Sequence, residues 1–321
     1  MVKFGKYLKA HQDADWAAHY IDYALLKKQI KHLSSVKEQM HNSDPSKVRG
    51  HFMGLLNEEL NKVEQFSVTS CEQLYDRISF LWRKASKLFL SLKNSEEQVK
   101  TSENSAELYN LRQSVEKGGE AMCKLFNFIE LNATAVRKIT KKWDKKIKDT
   151  FLTGWYGLHE KDENSFLKVK KKINGLLVTV SKIYVLLRKI DHLMLAENSK
   201  DGKKDAEGSK WKPPESFERE TTKYWVQYTD LLRIKLAIMK HLPLLIFGED
   251  DNAAIKPSKS GADENVWFES DALLARRESM TKIKRESDSA LITSVYFDSD
   301  DFYSYDSRIR RREGAELIRM R

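Results

Sequence analysis

The 321-residue chain holds 57 lysines and arginines against 47 aspartates and glutamates, a formal charge of +10. That balance suits an anionic partner: a phosphate ligand, a nucleic acid or an acidic membrane surface. Its two cysteines, Cys71 and Cys123, belong to no CxxC pair, which argues against a disulfide framework or a zinc site and favours a reducing compartment. The amphipathic N-terminus lacks the apolar core of a secretory signal. The most apolar stretch, Ile173 to Leu187, is interrupted by Asn174, Ser181 and Lys182. It falls short of the roughly 20 apolar residues of a membrane span. No HExxH, Walker-type loop or GxSxG is present.

In chain order, residues 1–195 read almost wholly as helix. Pro45 marks the turn between an N-terminal hairpin and a long helix from about Lys47 to Leu92. Leu55, Leu56, Leu60, Val63 and Phe66 give that helix one buried stripe. The polar run KNSEEQVKTSENS ends it, and a second long helix carries Leu111, Val115 and Met122. Two shorter helices follow, about Glu163–Ile173 and Leu176–Leu195. Long helices with short connections predict a helical bundle. Residues 196–215 are polar, end near Pro213 and Pro214, and read as a linker. Beyond it the texture changes. Residues 250–290 lack periodicity and are expected to be mobile. LITSVYF, residues 291–297, reads as a strand before the acidic turn DSDD. The acidic cluster Asp298, Asp300 and Asp301 is expected to form that turn and not a metal site.

Lys138, Lys141, Lys142 and Lys145 recur in LNATAVRKITKKWDKK at offsets that share one helix face. Tyr23, Lys27 and Lys31 form a second polar stripe in YIDYALLKKQIKHL. Folding that joins the stripes would make a pocket for a compact polyphosphorylated ligand. Spacing alone equally allows a solvated face.

The opening MVKFGKYLKAHQDADWAAHYIDYALLKKQIK resembles the start of an SPX domain, and LNATAVRKITKKWDKK resembles that family's second signature. Val136 and Trp143 depart from it, where the usual forms are an aromatic residue and a histidine. The resemblance implies a helical sensor of inositol polyphosphates and pyrophosphates. Tyr23, Lys27 and Lys142 then match an inner phosphate-binding cluster. Lys138, Lys141 and Lys145 match an outer lysine surface, and Lys3 is a further candidate.

FERETTKYWVQ, HLPLLIF, ITSVYFDSDDFYSYDSRI and EGAELIRMR, in that order, resemble the start of the triphosphate tunnel domain of the vacuolar transporter chaperone family. The implied fold class is mainly α. An SPX-type bundle at 1–195 is followed at 216–321 by the incomplete α+β start of an antiparallel tunnel barrel. The family enzyme extends polyphosphate from ATP with a divalent metal, Mn or Mg. Lys223, Arg319 and Arg321 match its triphosphate-contacting residues, with Arg308 a weaker match, and Ser307 stands where glycine is usual. Arg319 and Arg321 lie two residues apart and so share a strand face, opposite Ile318 and Met320. That suits a phosphate channel, or an edge strand with its arginines in solvent. Trp225 is expected to bury against the tunnel wall.

The resemblance would place the metal-binding glutamate beyond residue 321, so no catalytic site or metal is assigned here, and no polymerase activity is expected of this chain alone. The sensing function is expected to regulate polyphosphate synthesis and phosphate homeostasis. It would act on the cytosolic face of a vacuolar or acidocalcisome-like membrane, with other subunits of a chaperone complex. The main alternative is the polymerase subunit itself, with ATP and polyphosphate as ligands, if the full tunnel is encoded. The remoter one is a basic nucleic-acid binder; no helix-turn-helix or zinc spacing supports it.

Overall fold

Apolar positions in the first half of the chain recur every three or four residues, and helices bury them. The structure, a computed structural model, describes residues 4–39, 45–94, 102–162, 165–196, 222–245 and 293–320. Eight α-helices lie among them: α1 Phe4–His11, α2 Tyr23–Gln39, α3 Pro45–Asn94, α4 Ser102–Ile147, α5 Phe151–His159, α6 Val169–Ala196, α7 Leu231–Met239 and α8 Tyr303–Ile309. The described residues form two compact units, Met1–Leu244 and Leu245–Arg321. The linker segment at 197–215, the segment 250–290, Lys3 and Arg321 lie outside the described residues.

The first unit is a helical bundle, as the sequence implies. Pro45 opens α3, where its fixed φ fits and its missing N–H costs nothing. From Leu60 the buried positions of α3 run Val63, Ser67, Cys71, Leu74, Ile78, Leu81, Ala85, Leu88 and Leu92. From Cys71 onward the steps of three and four alternate as in a coiled-coil seam, after two successive steps of four from Val63. At about 1.5 Å per residue α3 is roughly 75 Å long. It packs along α4 and α6, while α2 lies against α3 and α4. No helix among the described residues is long and apolar enough to cross a membrane. Cys71 and Cys123 are buried and free.

Two expectations for this unit need correction. Phe151–His159 forms a separate helix that the periodicity did not separate from its neighbours. The break expected between Ile173 and Leu176 is absent, and α6 runs through Asn174 and Gly175. A glycine inside a helix costs about 1 kcal/mol relative to alanine. The buried row Ile173, Leu177, Val180, Ile183, Leu187 and Ile190 outweighs that cost.

Residues 222–244 return to the bundle. Leu232, Leu236 and Met239 of α7 are buried against α4 and α6. A methyl group placed on Gly119 would come within 3.2 Å of Leu236, so the glycine is what lets α7 approach. Arg188 donates to the carbonyls of Met239 and Lys240 at 2.8 and 3.2 Å, satisfying the open end of α7. Lys240 pairs with Glu116 at 2.6 Å. The Leu244 N–H donates to Ser181 Oγ at 2.9 Å. Trp225, expected in a wall, is fully exposed in this unit, where residues 222–227 form neither helix nor strand and are all exposed.

In the second unit β1, Val295–Phe297, pairs antiparallel with β2, Ile318–Met320, with Tyr296 opposite Arg319. Both faces of the ribbon are exposed, so the contrast expected between arginine and apolar faces is not formed in it. Ser307 is buried inside α8, and the left-handed residues of the following turn are Arg311 and Gly314. Asp298 accepts the N–H groups of Ser304 and Tyr305 at 2.9 and 2.7 Å. The acidic cluster is therefore a turn capping a helix.

Trp143 is the largest fully buried side chain and stacks on Phe52 with ring centroids 4.6 Å apart. Trp143→Ala should cost about 3–5 kcal/mol, measured by urea unfolding of the parent and variant chains.

Candidate functional site

The start of α2 is built by short-range chemistry. Asp22 caps it, its Oδ1 accepting the Leu25 N–H at 2.8 Å. Tyr23 follows directly, half-buried, and Lys27 stands one turn later in solvent. Leu26 and Ile30, on the opposite side, are fully buried. Burial raises the Tyr23 pKa, so its hydroxyl remains a donor at neutral pH.

On α4 the same division holds. Val136, Ile139, Trp143 and Ile147 are fully buried, and Lys138, Lys141 and Lys145 are exposed on the other side, with Lys142 between. The two departures from the family signature thus face the core and leave the lysine face intact. The far end of α4 is tied down by Asp149. It accepts from Arg49 Nε at 2.8 Å, Trp143 Nε1 at 3.4 Å and the Phe151 N–H at 3.3 Å. The Arg49 guanidinium also lies 4.4 Å from the Phe151 ring centre. Asp144, amid the lysines, accepts the Thr153 hydroxyl.

Folding joins the two stripes. Loss of water, then the charges of Lys27 and Lys146, push the Lys142 pKa below its ordinary value. Lys142 thus feels a lysine on the other helix. Phe4 bridges the two halves, with its ring 5.1 Å from that of Tyr23 and 5.0 Å from Lys138 Nζ. None of Lys27, Lys138, Lys141, Lys142 and Lys145 pairs with a carboxylate among the described residues. Elsewhere in the bundle, Lys62, Lys124, Lys170 and Lys240 each do. Lys31 is exposed one turn beyond Lys27. Sequence reasoning missed Phe4 and Lys146. Lys146 was visible at four residues from Lys142, and Phe4 only in the KFG opening.

The remaining site residues are not gathered in one unit. Lys223 is exposed in the first unit, and Arg308 and Arg319 are exposed in the second. No group of three His, Cys, Asp or Glu among the described residues is placed to hold a metal. Asp298, the nearest candidate, is committed to backbone N–H groups.

A family model of the SPX domain matches residues 2–51, and one of the VTC domain matches residues 218–321. The chain joins an SPX domain to a VTC domain. Subunit 4 of the vacuolar transporter chaperone complex of Schizosaccharomyces pombe is 29% identical over 324 residues, 100% of this chain and 37% of that protein. An SPX domain-containing membrane protein of Oryza sativa subsp. indica is 33% identical over 146 residues, 46% of this chain and 19% of its own length. The chain thus spans well under half of either relative. The SPX domain of glycerophosphodiester phosphodiesterase 1 from Chaetomium thermophilum, solved with inositol hexakisphosphate, gives a TM-score of 0.43 at 23% identity. That match covers 61% of this chain and 99% of the solved one.

The lowered Lys142 pKa has a definite sign. Below the folded pKa the charged form is penalised in full, and the penalty disappears as pH rises from there past the unfolded value of 10.5. Lys142→Met should therefore melt about 1 °C higher than the parent at neutral pH. The gap should close as pH approaches 10.5 in a calorimetric pH series.

Proposed function

We propose that the SPX portion of this chain binds inositol polyphosphates and pyrophosphates and that the bound state licenses polyphosphate synthesis at the VTC portion. The supporting observation is a lysine group without carboxylate partners among the described residues, with Lys27 close enough to Lys142 to lower its pKa. A compact polyphosphate offers several charges within the reach of such a group and removes its repulsion. Tyr23, Lys27 and Lys142 form the inner contacts, and Lys138, Lys141 and Lys145 the outer surface. Lys3 is a further ligand candidate outside the described residues.

In this reading residues 1–195 are the sensor, 196–215 the connection and 216–321 the effector portion. Phosphoryl transfer needs cations and a metal around the transferring group. The described effector residues supply a two-stranded ribbon and the exposed Lys223, Arg308 and Arg319. The role is control of phosphate homeostasis at the cytosolic face of a vacuolar or acidocalcisome-like membrane, within a complex of related subunits. The second reading, a polymerase subunit using ATP and Mn or Mg, is favoured by the likeness to a chaperone complex subunit along the whole chain. Incubation of this chain with ATP and Mn or Mg decides between them, polyphosphate formation favouring the second reading.

Calorimetric titration with inositol hexakisphosphate tests the sensing reading. Each charged lysine–phosphate bond contributes about 1.5–3 kcal/mol, so Lys141→Ala with Lys142→Ala should weaken binding about a hundredfold or more. Binding should also weaken as salt rises. Equal affinity in parent and double variant would overturn the reading. A gel shift not competed by inositol hexakisphosphate would instead favour nucleic acid.

A further inference from the structure

We infer that Asn132 and Glu59 are positioning residues for the anion site, setting where its α2 half stands against its α4 half. The inference rests on the sensing function proposed above. Neither side chain belongs to the lysine face. Asn132 is fully buried on α4, six residues before Lys138. Its Oδ1 accepts the Ile21 N–H at 2.9 Å, across 111 residues of chain. Its Nδ2 donates to the Phe128 carbonyl at 2.8 Å, which holds the amide in the orientation that presents oxygen to Ile21. Asparagine is a poor helix former, and a buried amide without partners is costly. An apolar residue could fill the space, but only a side-chain acceptor can receive that N–H.

The next backbone N–H is held from another helix. Glu59 Oε2 on α3 accepts the Asp22 N–H at 2.7 Å, and Lys62 holds the same oxygen at 2.7 Å. Two consecutive N–H groups just before Tyr23 are thus anchored separately, one to α4 and one to α3. The apolar contacts of Leu26 and Ile30 press α2 onto the bundle, but apolar burial has no direction and tolerates sliding. Hydrogen bonds are directional and do not. They fix the register of α2, and with it the distance from Tyr23 and Lys27 to Lys142. An anion bridging both helices requires that distance.

The test is titration of the full chain with inositol hexakisphosphate, with circular dichroism as the check on folding. Asn132→Ala and Glu59→Ala should each weaken binding about five- to tenfold while the helical spectrum is retained. Glu59→Gln, which keeps an acceptor for Asp22, should bind close to the parent. Asn132→Ala should add little to Lys27→Ala, because the contact it positions is already gone, but should multiply with Lys145→Ala. Lower melting temperatures with parent affinity would overturn the inference and leave both residues merely stabilising. Full additivity with Lys27→Ala would overturn it too. If Asn132→Ala does not fold, the contrast between Glu59→Ala and Glu59→Gln decides alone. Failure of the parent chain to bind, or undiminished binding after Lys138, Lys141, Lys142 and Lys145 are all changed to alanine, would instead sink the sensing function, and the inference with it.

Discussion

The lysine face depends on the burial of the other side of α4. Val136, Ile139, Trp143 and Ile147 are fully buried there, interleaved with the lysines. Each such side chain contributes about 1.5–3 kcal/mol, and each like-charge pair at helical spacing costs a few tenths. Burial wins by roughly an order of magnitude. The helix therefore holds the cations side by side before any ligand arrives, and little ordering remains to be done on binding.

What the sequence made legible follows from what periodicity can carry. The long helices, the apolar row of α3 and the shared face of Lys138, Lys141, Lys142 and Lys145 are all local repeats, so spacing alone exposes them. Spacing left the meeting of Tyr23 and Lys27 with this face as one of two readings, and the family resemblance chose it, because nothing in a one-dimensional pattern says which helices touch. Gly175 reads as a helix breaker and is not, since the buried row on either side of it is a tertiary fact. Asn132 and Glu59 receive backbone N–H groups from distant segments, and such bonds leave no periodic trace. Trp225 was misjudged in the opposite direction. The family resemblance set it against a tunnel wall, and in its unit that segment forms neither helix nor strand and is exposed.

The unit Met1–Leu244 also shows that a sequence boundary and a packing boundary need not coincide. The VTC match begins at residue 218, yet α7 lies inside it and is buried on α4 and α6. Three different interactions hold it: an apolar row fitted against Gly119, an arginine on its terminal carbonyls and an ion pair at Lys240. The ion pair is partly exposed and contributes little. The apolar row and the capped carbonyls carry the attachment. α4 thus bears α7 near its middle and the lysines near its end, about 28 Å apart from Gly119 to Lys138 at 1.5 Å per residue.

The depressed pKa of Lys142 links this geometry to energetics. A free site that penalises its own charge is less stable than the same fold with that charge removed or neutralised. An anion bound between Lys27 and Lys142 reverses the penalty, because the charge that was unfavourable acquires a partner. A ligand bound as proposed would stabilise the fold in two ways: by mass action on the native state, and by removing a repulsion present only there. The same reversal draws the Lys142 pKa back up, so binding near that pKa takes up protons. For such an anion affinity would fall as pH rises through that range, in the direction opposite to the stability of the free chain.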